Sequence, residues 1–234
     1  MRFVFTPDWF LGKDVLIDVF SFFILAAFFI LATQSYRLNK KKSSLFLGLG
    51  FLLIALAQLS SVLTRAVLYY DTTITQSIGQ AVITYQVIKS VDLFYYVGFF
   101  FHKLLTVFGL FFIYKLPLKK ETKKDFLFMS FLLFMTIALS SNLHYIFYFT
   151  SLILTIFIIR NYSVVYKKNK NKNTKLLLMG FYGLAISQAI FIFSNLAILY
   201  VAADLIELVS YSIFLIVIGR IFTASKKINK KSHK

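Results

Sequence analysis

Cysteine is absent and proline occurs only twice, at Pro7 and Pro117, so disulfides and thiolate chemistry are excluded. Acidic residues are scarce too: 9 Asp and Glu stand against 26 Lys and Arg, a formal net charge of +17. Charged residues make up 15% of the chain, where a soluble domain carries about 25%. No polar stretch is long enough to fold into an extramembrane domain, which rules out kinase, nuclease and dehydrogenase modules. HExxH, GxSxG, Walker and Rossmann patterns are also missing. Neither an enzyme activity nor a cofactor is expected.

What the chain of 234 residues does have is apolar length: 59% of it is hydrophobic and 19% aromatic. Five apolar stretches run Val15 to Tyr36, Leu45 to Val67, Phe94 to Leu116, Phe126 to Ile159 and Leu176 to Phe222. At about 1.5 Å per residue the last two would reach roughly 50 and 70 Å as single helices, against a hydrocarbon core of about 30 Å. Each must fold back, the first at Ser140-Ser141-Asn142 and the second between Asn195 and Asp204. Helix 1 is too long for a signal-peptide core and lacks a small-residue cleavage site, so it is expected to be retained.

The lysines support this division. Arg37, Lys40, Lys41 and Lys42 follow helix 1; Lys115, Lys119, Lys120, Lys123 and Lys124 follow helix 3; Arg160 and Lys167 to Lys175 follow helix 5; Arg220 and five lysines end the chain. These clusters share one side only if each fused stretch is two helices. The other connections hold most of the acids, among them Asp8, Asp14, Asp71 and Asp92. The positive-inside rule then puts the N-terminus outside and the C-terminus in the cytoplasm. Short clusters of this kind fit anionic lipids at the cytoplasmic face rather than nucleic acid, and the tail Lys226 to Lys234 reads as a lipid anchor.

Tyr36 to Gln58 aligns without gaps onto Tyr166 to Gln188. Identical pairs include Tyr36/Tyr166, Asn39/Asn169, Lys40/Lys170, Gly50/Gly180, Phe51/Phe181, Ala55/Ala185 and Gln58/Gln188. The expected fold class is therefore all-α: a polytopic, multi-pass protein of the cell membrane with seven transmembrane helices and a parallel 3+1+3 internal repeat. Its parts are a first three-helix repeat over 15–116, a linker helix over 126–142, a second repeat over 144–222 and a basic tail over 223–234. This plan resembles that of the SWEET and PQ-loop transporters and the KDEL receptors in architecture, although no Pro-Gln dipeptide is present. The orientation is also similar to that of rhodopsins, but the retinal-bearing lysine is missing from helix 7.

Polar residues inside apolar spans are costly and mark candidate sites. Gln58, Ser61 and Arg65 form one stripe of helix 2, and the repeat maps Gln58 onto Gln188. Lys103 in helix 3, beside His102, costs about 2.5–3.5 kcal/mol on insertion scales unless it finds a partner or water. Asp204 or Glu207 of helix 7 is the expected partner, with Asp18 of helix 1 at similar depth. An outward-facing polar cavity is thus expected from Asp18, Gln58, Arg65, His102, Lys103, Gln188, Asp204 and Glu207. The blander alternatives are glutamines that only join helices, and a lysine that snorkels to a structural ion pair.

A haem held by His102 and His144, or a carboxylate-histidine metal site, has no spacing motif behind it, and no metal is expected. The aromatic run Phe94 to Phe101 reads as an interfacial belt. Asp71 to Ser90 reads as a short amphipathic element, a hairpin or a plain interfacial loop. The function expected is a small-solute or ion/proton-coupled transporter with its site between the repeats. The alternative is a heptahelical sensor, receptor or assembly subunit that binds a ligand or lipid. The partners expected are the bilayer, a small polar or charged solute, and either a second copy of the chain or a cytoplasmic protein.

Overall fold

Helix is the only regular secondary structure among the described residues, as the apolar stretches require: in hydrocarbon every backbone amide must be satisfied within its own segment. A computed structural model describes residues 7–40, 42–78, 81–115, 123–140, 144–194 and 196–232. After a 3-10 turn at Asp8–Phe10 come α1 (Lys13–Asn39), α2 (Lys42–Ile78), α3 (Ala81–Lys115), α4 (Lys123–Leu139), α5 (His144–Asn169), α6 (Lys172–Phe191) and α7 (Ala197–Ser232). Six of them are long and apolar enough to cross a membrane. With 17 residues, α4 is shorter.

The helix ends follow from local chemistry. Gly12 precedes α1 at φ 81, a left-handed conformation that glycine adopts without a Cβ penalty. Asp14 in the first turn of α1 accepts the Val15 N–H at 2.8 Å, where a carboxylate also complements the helix dipole. At the other end Lys40 turns left-handed, φ 51, and its N–H donates to Tyr36 O at 2.7 Å. The end of α5 repeats this: Lys170 has φ 45 and donates to Tyr166 O at 2.7 Å. Asn171 then caps α6 by accepting the Asn173 N–H at 3.0 Å.

Both fused stretches break. The first does so between Leu139 and His144, as expected, although Ser141 and Asn142 lie outside the described residues. The second begins to break earlier than expected, α6 ending at Phe191 and turning over 192–194, and α7 begins at Ala197, before Asp204; Asn195 lies outside the described residues. No glycine or proline marks the place. Instead Phe193 and Ser194 donate to Ile190 O and Phe191 O in tightened i to i+3 bonds that wind the helix down. Asp204 and Glu207 therefore sit inside α7. The Asp71 to Ser90 segment is helical wherever it is described: α2 continues to Ile78 and α3 starts at Ala81. At about 1.5 Å per residue the 37 residues of α2 reach roughly 55 Å, well beyond a hydrocarbon core.

α2 packs between α1 and α3, and α6 between α5 and α7. The two trios touch where α1 meets α7 and where α3 meets α5, while α4 lies against α3 and α5. Small residues bring helices close: a Cβ on Gly109 would lie 2.7 Å from Gly50 O, so α2 and α3 meet nearly backbone to backbone. At the centre Phe51 of α2 contacts Phe28 of α1, Phe181 of α6 and Phe214 of α7, with ring centroids 4.1, 6.3 and 5.3 Å away. This aromatic knot is the floor on which the polar residues stand.

Candidate functional site

About two helical turns from Phe51 and Phe181, roughly 10 Å along α2 and α6, Gln58 and Gln188 enter a common cavity. It lies at the end of the bundle where α1 begins. Its walls come from six helices: Asp18 of α1, Gln58 and Arg65 of α2, His102 of α3, Tyr148 of α5, Gln188 of α6, and Tyr200, Asp204 and Glu207 of α7. Its volume is about 40 Å³. A water needs about 10–15 Å³ on this measure, so a few waters or a small ion with part of its hydration shell would fit.

Two bonded groups organise the walls. In the first, Arg65 Nη1 lies 2.9 Å from Asp14 Oδ2 and 3.4 Å from Asp18 Oδ2, while Nη2 donates to the Tyr200 hydroxyl at 2.9 Å. Ser61 Oγ also donates to Asp18 Oδ2, at 2.8 Å. The spacing is helical: Asp14 and Asp18 are one turn apart on α1, as Ser61 and Arg65 are on α2. In the second group Tyr211 donates to Glu207 Oε1 at 2.7 Å, and Gln58 Nε2 reaches both that oxygen and the Tyr211 hydroxyl at 3.2 Å. His102 Nδ1 is 3.1 Å from Ala57 O. A carbonyl only accepts, so that nitrogen carries a proton, and in the neutral ring Nε2 is the acceptor.

Asp204 Oδ2 and Gln188 Oε1 have no hydrogen-bond partner, although both residues are over nine-tenths buried. Four carboxylates, Asp14, Asp18, Asp204 and Glu207, gather around one guanidinium. Phe191 and Tyr200 of the cavity wall also pack with Phe10 and Val201, and Tyr148 stacks on Phe191 at 4.9 Å. No protein-family model, curated protein or solved structure matches this chain.

Of the eight residues singled out from sequence, seven line this cavity: Asp18, Gln58, Arg65, His102, Gln188, Asp204 and Glu207. Lys103 is the exception. Its Nζ donates to Ser140 O at 2.8 Å, at the C-terminal end of α4, rather than facing α7 as expected. The last carbonyls of a helix lack intrahelical donors and carry the negative end of its dipole, so they favour a buried ammonium. Of the two partners expected for Lys103, Glu207 instead accepts from Gln58 and Tyr211, and Asp204 lines the cavity. A metal or haem ligated by His102 and His144 gains no geometry: the His144 side chain lies outside the described residues, and no metal-binding group of His, Cys, Asp and Glu exists among those described.

Sequence reasoning missed Asp14, Tyr148, Tyr200 and Tyr211. Asp14 could have been found as the residue four before Asp18. Tyr200 and Tyr211 lie four residues before Asp204 and four after Glu207, a helical signal hidden because tyrosines near span ends usually form the interfacial belt.

Proposed function

We propose that this protein is a small-solute or ion/proton-coupled transporter of the cell membrane. On this reading α4 is a seventh span, the N-terminus is outside, the basic loops contact anionic lipid in the cytoplasm, and the two trios are parallel repeats joined by α4. The observation that carries it is the cavity itself: six helices from both trios line one space at their junction with three carboxylates, Asp18, Asp204 and Glu207, and one guanidinium that also pairs with Asp14. So large an excess of negative charge is expensive in a membrane interior and implies that protons or a bound ion enter and leave. Support for the repeat comes from residues that correspond in the alignment: Lys40 and Lys170 end their helices alike, Phe51 and Phe181 meet at the centre, and Gln58 and Gln188 share the cavity.

Reconstituted in liposomes, the protein is expected to move a small polar or charged solute from a labelled panel, or to give transient currents on an imposed ion gradient. Glu207→Gln should abolish the signal, and Leu63→Ala on the outward face of α2 should not. Equal flux in Glu207→Gln would remove the site from the mechanism. One observation favours a second reading, a sensor or assembly subunit. The Phe51 knot packs the trios together about two turns from the cavity, as in a ligand-binding receptor with no through path. That reading calls for stable co-purification with one cytoplasmic protein and no flux under any gradient.

A further inference from the structure

Among the residues that line the cavity, the buried side-chain oxygens without a hydrogen-bond partner are Asp204 Oδ2 on α7 and Gln188 Oε1 on α6. Both side chains line the cavity, and the two helices are locked in register beside them by Ser187 Oγ donating to Ala203 O at 2.9 Å. Each oxygen is an acceptor, so what satisfies both is a donor or a cation. The neighbouring carboxylates are already engaged: Asp14 and Asp18 share Arg65, and Glu207 accepts from Tyr211 and Gln58.

We infer that Asp204 and Gln188 form a binding site for a small monovalent cation of the sodium class, completed by water. This deepens the transport reading by naming the ion the site exchanges, and it rests on that reading only for the ion's purpose. The ligand set argues against a divalent ion: one of the calcium type recruits several carboxylates, and no group of three or more His, Cys, Asp and Glu able to hold a metal exists among the described residues. Chemistry selects the class, because a carboxylate, an amide oxygen and waters are hard ligands. Size agrees: about 40 Å³ admits a small ion with a few waters but leaves no room for a sugar or an amino acid beside it.

The test is equilibrium binding to the full-length protein in lipid nanodiscs, with sodium chloride compared against choline chloride at equal ionic strength. Saturating sodium is expected to raise the melting midpoint by roughly 5–10 °C, potassium less, and radiolabelled sodium should bind one per chain. Asp204→Asn should be at least as stable as the wild type in choline, because it removes an unpaired buried charge, and should not respond to sodium. Gln188→Leu should weaken the apparent sodium affinity at least about tenfold. A sodium shift that persists unchanged in Asp204→Asn places the ion elsewhere and overturns the inference. No sodium effect on the wild type overturns it too, and leaves a proton on Asp204, donated to Gln188, as the occupant. Because nothing need be transported, binding without flux would sink the transporter and keep the site, and flux without binding would do the reverse.

Discussion

Arg65 is the only cation bonded to the cavity carboxylates among the described residues, and its Nη1 contacts are ion pairs whose angle misses hydrogen-bond alignment. Their value is therefore Coulombic, and most of it lies in what its loss would leave behind. Arg65→Met takes the guanidinium away from Asp14 and Asp18 and is expected to cost about 3–5 kcal/mol. The triple variant that adds Asp14→Asn and Asp18→Asn should recover most of that loss, as read from melting in detergent. If single and triple variants lost equal stability, the acids would not depend on the arginine. At this scale the sequence was informative wherever a side chain is expensive in lipid, which is why Asp18, Arg65 and Glu207 could be picked out. It was silent on where each side chain finds relief. Lys103 shows why: it donates to a main-chain carbonyl at the end of α4, a group that every residue carries and no residue type announces.

Helix pairing in this chain depends on the size of single residues, since apolar side chains gain little by leaving lipid for one another. Gly109 illustrates this. A Cβ there would meet Gly50 O at 2.7 Å and Ile54 N at 3.2 Å, both backbone atoms that a rotamer change cannot move. Gly109→Ala is expected to force α2 and α3 apart and cost about 1–3 kcal/mol. Gly219→Ala, whose Cβ would meet nothing within 4 Å, should be neutral or stabilising through better helix propensity. Melting midpoints of the two variants side by side check this, at about 2–4 °C per kcal/mol for a chain this size; a larger loss for Gly219→Ala would mean that the α2–α3 approach is looser than described. The elements themselves were legible because apolar runs of span length leave the backbone no alternative to helix. The α6–α7 break was placed too late for an identifiable reason: 3-10 tightening at Phe193 and Ser194 ends α6 without glycine or proline. Helices carried past the bilayer, as in α2 to Ile78, lie beyond what hydropathy registers.

The whole molecule divides its charge unevenly along its length. Asp14, Asp18 and Arg65 engage one another near the start of α1, and Asp204 and Glu207 line the same cavity. Lys40, Lys167, Lys168 and Lys170 stand at the far ends of α1 and α5. If a bilayer surrounds the bundle, the proposed orientation turns the first end outward and the second to the anionic cytoplasmic leaflet, where each lysine near the surface gains about 1 kcal/mol. The absence of native cysteine makes this directly measurable, because any introduced thiol is the only one in the chain. Leu11→Cys and Leu196→Cys, both at exposed positions next to helix starts at the cavity end, should react in intact cells with a membrane-impermeant maleimide. Ser44→Cys and Asn173→Cys, at the starts of α2 and α6, should react only after permeabilisation. The reverse pattern would invert the protein in the membrane and turn the cavity end inward. Labelling of Leu11→Cys and Leu196→Cys from opposite sides would separate the two trios altogether, and with them the parallel repeat on which a shared site depends.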